Sequence, residues 1–179
     1  KEEQSLGLVG AIETFTYRSP GAAEPVAAVV PPAEPEGRRA RAAAQKGPSV
    51  RLEVLAGAGF TITDTGAVTP ELRARYSAAI ADLEQGFYER GVAELRAVTE
   101  QAPELANPHV DLGVALHRTG DLAEAAASLE KALAVSPDHP IAHSELALVR
   151  RKQGRFADAR ASYEKALALY PDFHLANKN

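Results

Sequence analysis

The feature that most constrains this chain is a step of 34 residues: Gly86, Gly120 and Gly154 are spaced by it, and so are Pro103, Pro137 and Pro171. Leu95, Leu129 and Tyr163 keep the same step, as do Val98, Ala132 and Ala166. The last two copies agree further, with Ala125 matching Ala159, residues 130–134 matching 164–168, and Pro137-Asp138 matching Pro171-Asp172. Each copy reads as two helices. A first helix, A, ends at the Gly, which tolerates the left-handed C-cap. A second helix, B, starts a few residues later, with Asp121 placed to cap one of them, and stops before the Pro, which disfavours helix in the residue preceding it. A single helix pair cannot bury its own apolar face, so the pairs must stack on one another to make a core.

Composition agrees with thin layers of closely packed helices. Ala supplies 36 of the 179 residues, too little bulk for a thick sandwich or barrel. Small residues at Gly113, Ala147, Ala125 and Ala159 let paired helices approach, and Leu112, Leu116, Leu122, Leu129, Leu146, Phe156 and Tyr163 are expected to fill the space between turns. With no Cys, a disulfide scaffold, Cys-ligated zinc, iron–sulfur clusters and thiol catalysis are excluded. A net charge of -4 argues against bulk nucleic-acid binding. No apolar run reaches the roughly 18 residues of a membrane span.

Residues 72–173 resemble three tandem tetratricopeptide (TPR) repeats, at about 72–105, 106–139 and 140–173. The second copy carries the pattern at Leu112, Gly113, Leu116, Gly120, Ala125, Leu129, Ala132 and Pro137, and the third at Leu146, Ala147, Gly154, Ala159, Tyr163, Ala166 and Pro171. The first fits at Gly86, Gly91, Leu95, Val98 and Pro103, with Ala78-Ala79 where Leu-Gly is usual; Arg75, His109 and His143 stand at the position usually Trp. The resemblance implies an all-α, right-handed solenoid over residues 68–179 that binds protein partners without cofactor or metal and is not an enzyme. It also implies that the A helices line a concave groove. Carried over position by position, the partner-binding candidates are Tyr76, Ile80, Val110, Asp111, Val114, His117, Ser144, Leu148 and Arg151, with Arg73, Leu83, Asn107, Ile141 and Glu145 beside them. They form an apolar stripe edged by charges, suited to a partner helix or extended segment; Tyr76 and Arg151 are the strongest, since aromatics and Arg dominate binding energy. Ser77, Asp111 and Glu145 stand where chaperone-binding members carry the Asn of a carboxylate clamp, so that clamp is not expected.

Sequence ahead of the repeats divides into three. Residues 1–19 are apolar, with an extended piece at 12–17, and are expected to dock on another subunit. Residues 20–49 are a linker, holding six of the 12 Pro. In residues 50–66, Val50, Leu52 and Val54 alternate with Arg51 and Glu53, then Phe60-Thr61-Ile62-Thr63 follow a Gly-containing tetrad, which predicts a β-hairpin. A lone hairpin is marginal, so it should lean on the helical body, the N-terminal segment or a partner. Thr69-Pro70-Glu71 is a helix start. At the far end, residues 174–177 occupy the first positions of a further A helix, so the last B helix is expected to have an apolar edge covered by more chain or by a partner. Phe60-Thr61-Ile62-Thr63 and Tyr170-Pro171-Asp172-Phe173-His174 also resemble bacterial envelope-linked TPR proteins, some found beside TonB-type systems. The expected compartment is therefore periplasm or cell envelope, with cytoplasm the alternative.

Motifs for chemistry fail. Gly57-x-Gly59 meets Ile62 where a dinucleotide loop needs its third Gly. Ser128-x-x-Lys131 mimics a nucleophile pair but recurs at Ser162-x-x-Lys165, which marks it as repeat consensus. His139 and His143 have the spacing of two metal ligands on a helix, but Pro140 starts the helix between them and no third ligand is evident, so packing or capping histidines are expected. The expected function is a non-enzymatic interaction scaffold; a self-assembling spacer stacking through open solenoid ends, or a regulatory appendage of an enzyme, are the alternatives.

Overall fold

The computed structural model describes residues 15–17, 50–55, 59–64 and 68–171. Six helices follow three short strands in chain order: β1 Phe15–Tyr17, β2 Val50–Leu55, β3 Gly59–Asp64, α1 Pro70–Glu84, α2 Tyr88–Gln101, α3 Ala106–Thr119, α4 Leu122–Val135, α5 Pro140–Lys152 and α6 Phe156–Leu169. They form three antiparallel helix pairs, α1/α2, α3/α4 and α5/α6, each B helix also packing on the next A helix. The linker 20–49 lies outside the described residues.

Each A helix runs into a glycine at positive φ: 84° at Gly86, 96° at Gly120 and 76° at Gly154. At Gly120 the amides of Gly120 and Asp121 both return to the Leu116 carbonyl, at 3.0 and 2.9 Å, which closes the helix end and turns the chain back. Asp121 flanks α4 but makes no capping bond; its carboxylate accepts from the Thr119 hydroxyl at 3.3 Å instead. Thr69 does cap, its hydroxyl accepting from the Leu72 amide at 3.2 Å, with Pro70 in the first turn.

Pairing depends on close approach at two glycines. A Cβ on Gly113 would lie 2.6 Å from Leu129 Cγ and 3.2 Å from the Ala125 carbonyl oxygen. In the first pair the small residues change sides: Ala79 stands where Gly113 does, and Gly91 replaces Ala125. A Cβ on Gly91 would meet Leu83 at 2.5 Å and the Ala79 carbonyl oxygen at 3.1 Å. The departure Ala78-Ala79 is therefore compensated across the interface. Leu83 faces Gly91 inside this pair rather than lining the groove.

Leu95, Leu129 and Leu146 are buried, as are Leu112 and Leu116. The expected filling fails at the last B helix. Phe156 is 69% exposed, whereas Leu122 at the same register position is half-buried. Tyr163 is half-buried with its hydroxyl lacking a hydrogen-bond partner, and Arg160 stands where Val92 and Ala126 are buried. The reason is geometric: among the described residues no further helix packs on α6.

The predicted hairpin forms between β2 and β3, antiparallel, with Leu52 opposite Ile62 and Val50 opposite Asp64. β1 adds to the other side of β3, pairing Phe15 with Ile62 and Tyr17 with Phe60, so the sheet order is β1-β3-β2. Residues 15–17 thus add a strand to their own chain's hairpin, one of the supports expected for it. The rest of 1–19 lies outside the described residues. The sheet leans on the helices through its β3 end, where Ile62 is fully buried in the same cluster as the helical core.

Candidate functional site

The A helices α1, α3 and α5 stand side by side, and the predicted partner-binding residues fall on their shared face. The structure divides that face in two. In the half nearer the helix N-termini, Tyr76, Val110, Asp111 and Ser144 are buried, and Ile80 and Val114 sink into the core in mid-helix. An open apolar stripe is therefore not what these residues form. Toward the helix C-termini the face opens: His117 and Leu148 are half-buried and Arg151 is exposed. Of the neighbouring candidates, Arg73 is exposed, Asn107 and Ile141 are buried, and Glu145 is half-buried.

The closed half is a polar network. The Tyr76 hydroxyl of α1 donates to Asp111 Oδ2 of α3. Asn107 Oδ1 accepts from His139 Nε2 at 3.0 Å, while His139 Nδ1 accepts from the Ala142 amide at 3.2 Å and so caps α5. Both ring nitrogens of His139 are thereby committed, and the ring is neutral: burial, with the nearby His143 charge second, pushes its pKa down to about 3. Helix α3 is preceded by Leu105, which offers no side-chain acceptor. Its cap comes from the end of β3. Asp64 Oδ1 and Oδ2 accept from the Ala106 and Asn107 amides at 3.1 and 3.2 Å. Burial pushes the Asp64 carboxyl up to about 7 against the lowering effect of these two amides, and Asp111 adds to the rise.

His109 and His143, at the usual Trp position, share one role. His143 Nε2 donates to the Pro137 carbonyl at 2.8 Å and His109 Nε2 to the Pro103 carbonyl at 3.2 Å, tying each A helix to the loop before it. His143 also borders a 480 Å³ concavity with Leu133, Asp138 and Lys165, but its Nε2 is taken by that carbonyl. Among the described residues no group of three His, Asp or Glu side chains is disposed to hold a metal, and no helix is long and apolar enough to cross a membrane.

The open half has its own chemistry. His117 Nδ1 on α3 lies 3.8 Å from Glu145 Oε2 on α5, each side chain 12% exposed. His117 Nε2 is buried without a hydrogen-bond partner. The last turns of α3 and α5 carry Arg118, Arg150, Arg151 and Lys152, cations that suit the negative helix ends, with His117 beside them. Arg150 is spent on Ser162 and Glu130, at 2.8 and 3.1 Å, whereas Arg151 and Lys152 lie exposed at the rim. The register expectation places His117, Leu148 and Arg151 on this open half. Asp64 was not among the expected residues; its only sequence signal is its place two residues beyond Ile62 on one strand face.

Helix pairs stacked at a fixed period, with left-handed glycines closing every A helix, define a helical-repeat solenoid. The family model described as Tetratricopeptide repeat matches residues 76–140 and 110–173, more than half of the chain. The chain belongs to the tetratricopeptide repeat family. Solved structures share the fold. The first TPR of Spaghetti (RPAP3), bound to an HSP90 peptide, is 18% identical with a TM-score of 0.60, over 64% of this chain and 90% of that one. The type III secretion translocator chaperone SycD of Yersinia enterocolitica is 20% identical with a TM-score of 0.58, over 62% and 86%. A MamA structure is 28% identical with a TM-score of 0.52, over 55% of this chain and 54% of that one. No curated protein matches the sequence.

Proposed function

We propose that this chain is a non-enzymatic scaffold subunit that holds a segment of a partner protein on the concave face of its solenoid, at the end formed by His117, Glu145, Leu148 and Arg151. The observation that carries this reading is His117: a buried ring nitrogen without a hydrogen-bond partner, beside a half-buried Leu148 and an exposed Arg151, on the face that the A helices share. A buried polar atom left unpaired costs about 1–3 kcal/mol, which a partner's acceptor or donor recovers. Leu148 supplies apolar contact, and Arg151 with Lys152 favours an acidic segment. Family membership supports a protein-interaction module, since such repeats on other chains take peptides, as the RPAP3 repeat does.

A photo-crosslinking residue placed at position 151 tests this, with the exposed Lys131 of the outer helix α4 as control. Adducts from 151 alone, mapping to one acidic segment of one protein, support the assignment. Equal adducts from both positions, or none from 151, count against it. A second reading, self-assembly through α6, rests on the 69% exposure of Phe156. Under it, Phe156→Ser abolishes a concentration-dependent rise in mass measured by light scattering. The envelope location suggested by the flanking sequence belongs to the leading proposal and is checked by cell fractionation.

A further inference from the structure

The end of β3 is buried against the first turn of α3. Ile62 and Asp64, two apart and so on one face of the strand, are 0% and 4% exposed, while Thr63 between them is only half-buried. Asp64 spans 42 residues to reach Ala106, and α3 is the helix whose start it completes; α1 and α5 are capped by adjacent residues, Thr69 and His139. The two carboxyl oxygens satisfy two of the first amides of α3, donors that its own N-cap residue, Leu105, leaves without a side-chain acceptor. The groups around it are Asp111 on α3, held in turn by Tyr76 of α1, and Asn107, held by His139 ahead of α5. An apolar anchor plus a carboxylate two positions on is a peptide's way of holding a groove, here executed in cis.

We propose that β3 is an internal ligand: residues 62–64 occupy the closed half of the concave face, and an extended partner segment with an aliphatic residue followed two positions later by a carboxylate competes for the same seat. This rests on the reading of the concave face as the binding face and extends it from the open half into the closed one. Ile62 and Asp64 are the side chains seated here, Ile62 in the core cluster and Asp64 on the Ala106 and Asn107 amides, and the proposal requires this end to leave by local opening while the helices stay folded. Tethered close by, it acts at high effective concentration and reduces the apparent affinity for any competitor.

The probe is a fluorescent peptide of residues 58–66, added to the full chain and to a variant carrying Ile62→Ala and Asp64→Ala. The variant is expected to bind the peptide at least about tenfold more tightly than the unmodified chain, because the competing segment is gone. Equal affinity for both chains, or no binding to a variant that keeps its helical circular dichroism, overturns the proposal. Hydrogen exchange on the unmodified chain gives a second answer should the variant fail to fold. The amides of residues 62–64, 106 and 107 should open while α4 to α6 stay protected; exchange of all of them only in global unfolding overturns it. Crosslinking at position 151 is independent of both results, so failure there refutes the partner-binding reading and failure here refutes the internal ligand.

Discussion

Asp64 and His139 titrate in opposite senses inside one hydrogen-bonded cluster, and replacing either with Asn should expose the other. Asp64 is raised from 3.8 to about 7, chiefly by burial, so the fold prefers its neutral acid. Its contribution is fully present below about 3.8, drains as pH rises, and is gone above about 7. His139 is lowered from 6.5 to about 3, again chiefly by burial, so the fold prefers the neutral ring. That contribution is fully present above 6.5, drains as pH falls, and is gone near 3. Between roughly pH 4 and 6.5 the two slopes, each about 1.4 kcal/mol per pH unit, oppose and cancel. His109 and His143 are held below the ordinary histidine value by burial, and leave the wild type a net loss of stability toward acid. Urea unfolding followed by helical circular dichroism, across that window, reads the slopes. Asp64→Asn should lose about 1.4 kcal/mol more than wild type for each unit of acidification, and His139→Asn should depart by the same amount in the other direction. His139→Asn keeps an acceptor for the Ala142 amide, so α5 remains capped. Variants that run parallel to wild type, or that both depart in one direction, refute the assignment of buried neutral forms.

Three further expectations follow from single contacts. Gly113→Ala should destabilise by about 1–2 kcal/mol, because overpacking against the fully buried Leu129 outweighs the gain of about 1 kcal/mol in helix propensity; thermal unfolding measures it, and a stabilised variant would contradict the packing. Tyr76→Phe removes the hydroxyl that donates to buried Asp111 and should cost about 2 kcal/mol by urea unfolding; a change below about 0.5 kcal/mol would show the hydroxyl is not committed there. Arg151→Ala should leave stability within about 0.5 kcal/mol of wild type, because the side chain is exposed, yet weaken an acidic partner segment about tenfold in a binding titration; unchanged affinity removes Arg151 from the site.

What the sequence makes legible is what local periodicity controls. The 34-residue step located Gly86, Gly120 and Gly154, and each takes the left-handed conformation that stops an A helix. Alternation located β2 and β3, because successive residues of a strand point to opposite faces of its sheet. The exchange of small residues between Ala79 and Gly91 was half visible: Gly91 stood out, but only the contact with Leu83 and Ala79 shows that it pays for the missing glycine opposite. Asp121 shows the limit of local reasoning, since a capping side chain two residues from a hydroxyl has a competing partner. Asp64 lay out of reach. Its role depends on where the hairpin lands 42 residues away, and nothing in the alternation of 59–64 encodes that distance.

The division of the shared A-helix face separates the expected site residues into buried and accessible ones. Register assigns a residue to the face but is silent on what covers that face. Tyr76, Val110, Asp111 and Ser144 sit at the expected register positions and are nevertheless buried, in the half where Asp64 of β3 bonds the Asn107 amide and hydrogen bonds link α1, α3 and α5. A buried carboxylate pair such as Asp64 and Asp111 is a costly filling for a face whose only task is packing, since apolar groups of similar volume do that job at lower cost. The cost is easier to understand if the filling must sometimes leave. Asp64 regains hydration when it does, and the amides of Ala106 and Asn107 are then presented at a helix start, ready for another carboxylate. The same groups that make the closed half a poor hydrophobic core thus make it a site whose occupant can be exchanged.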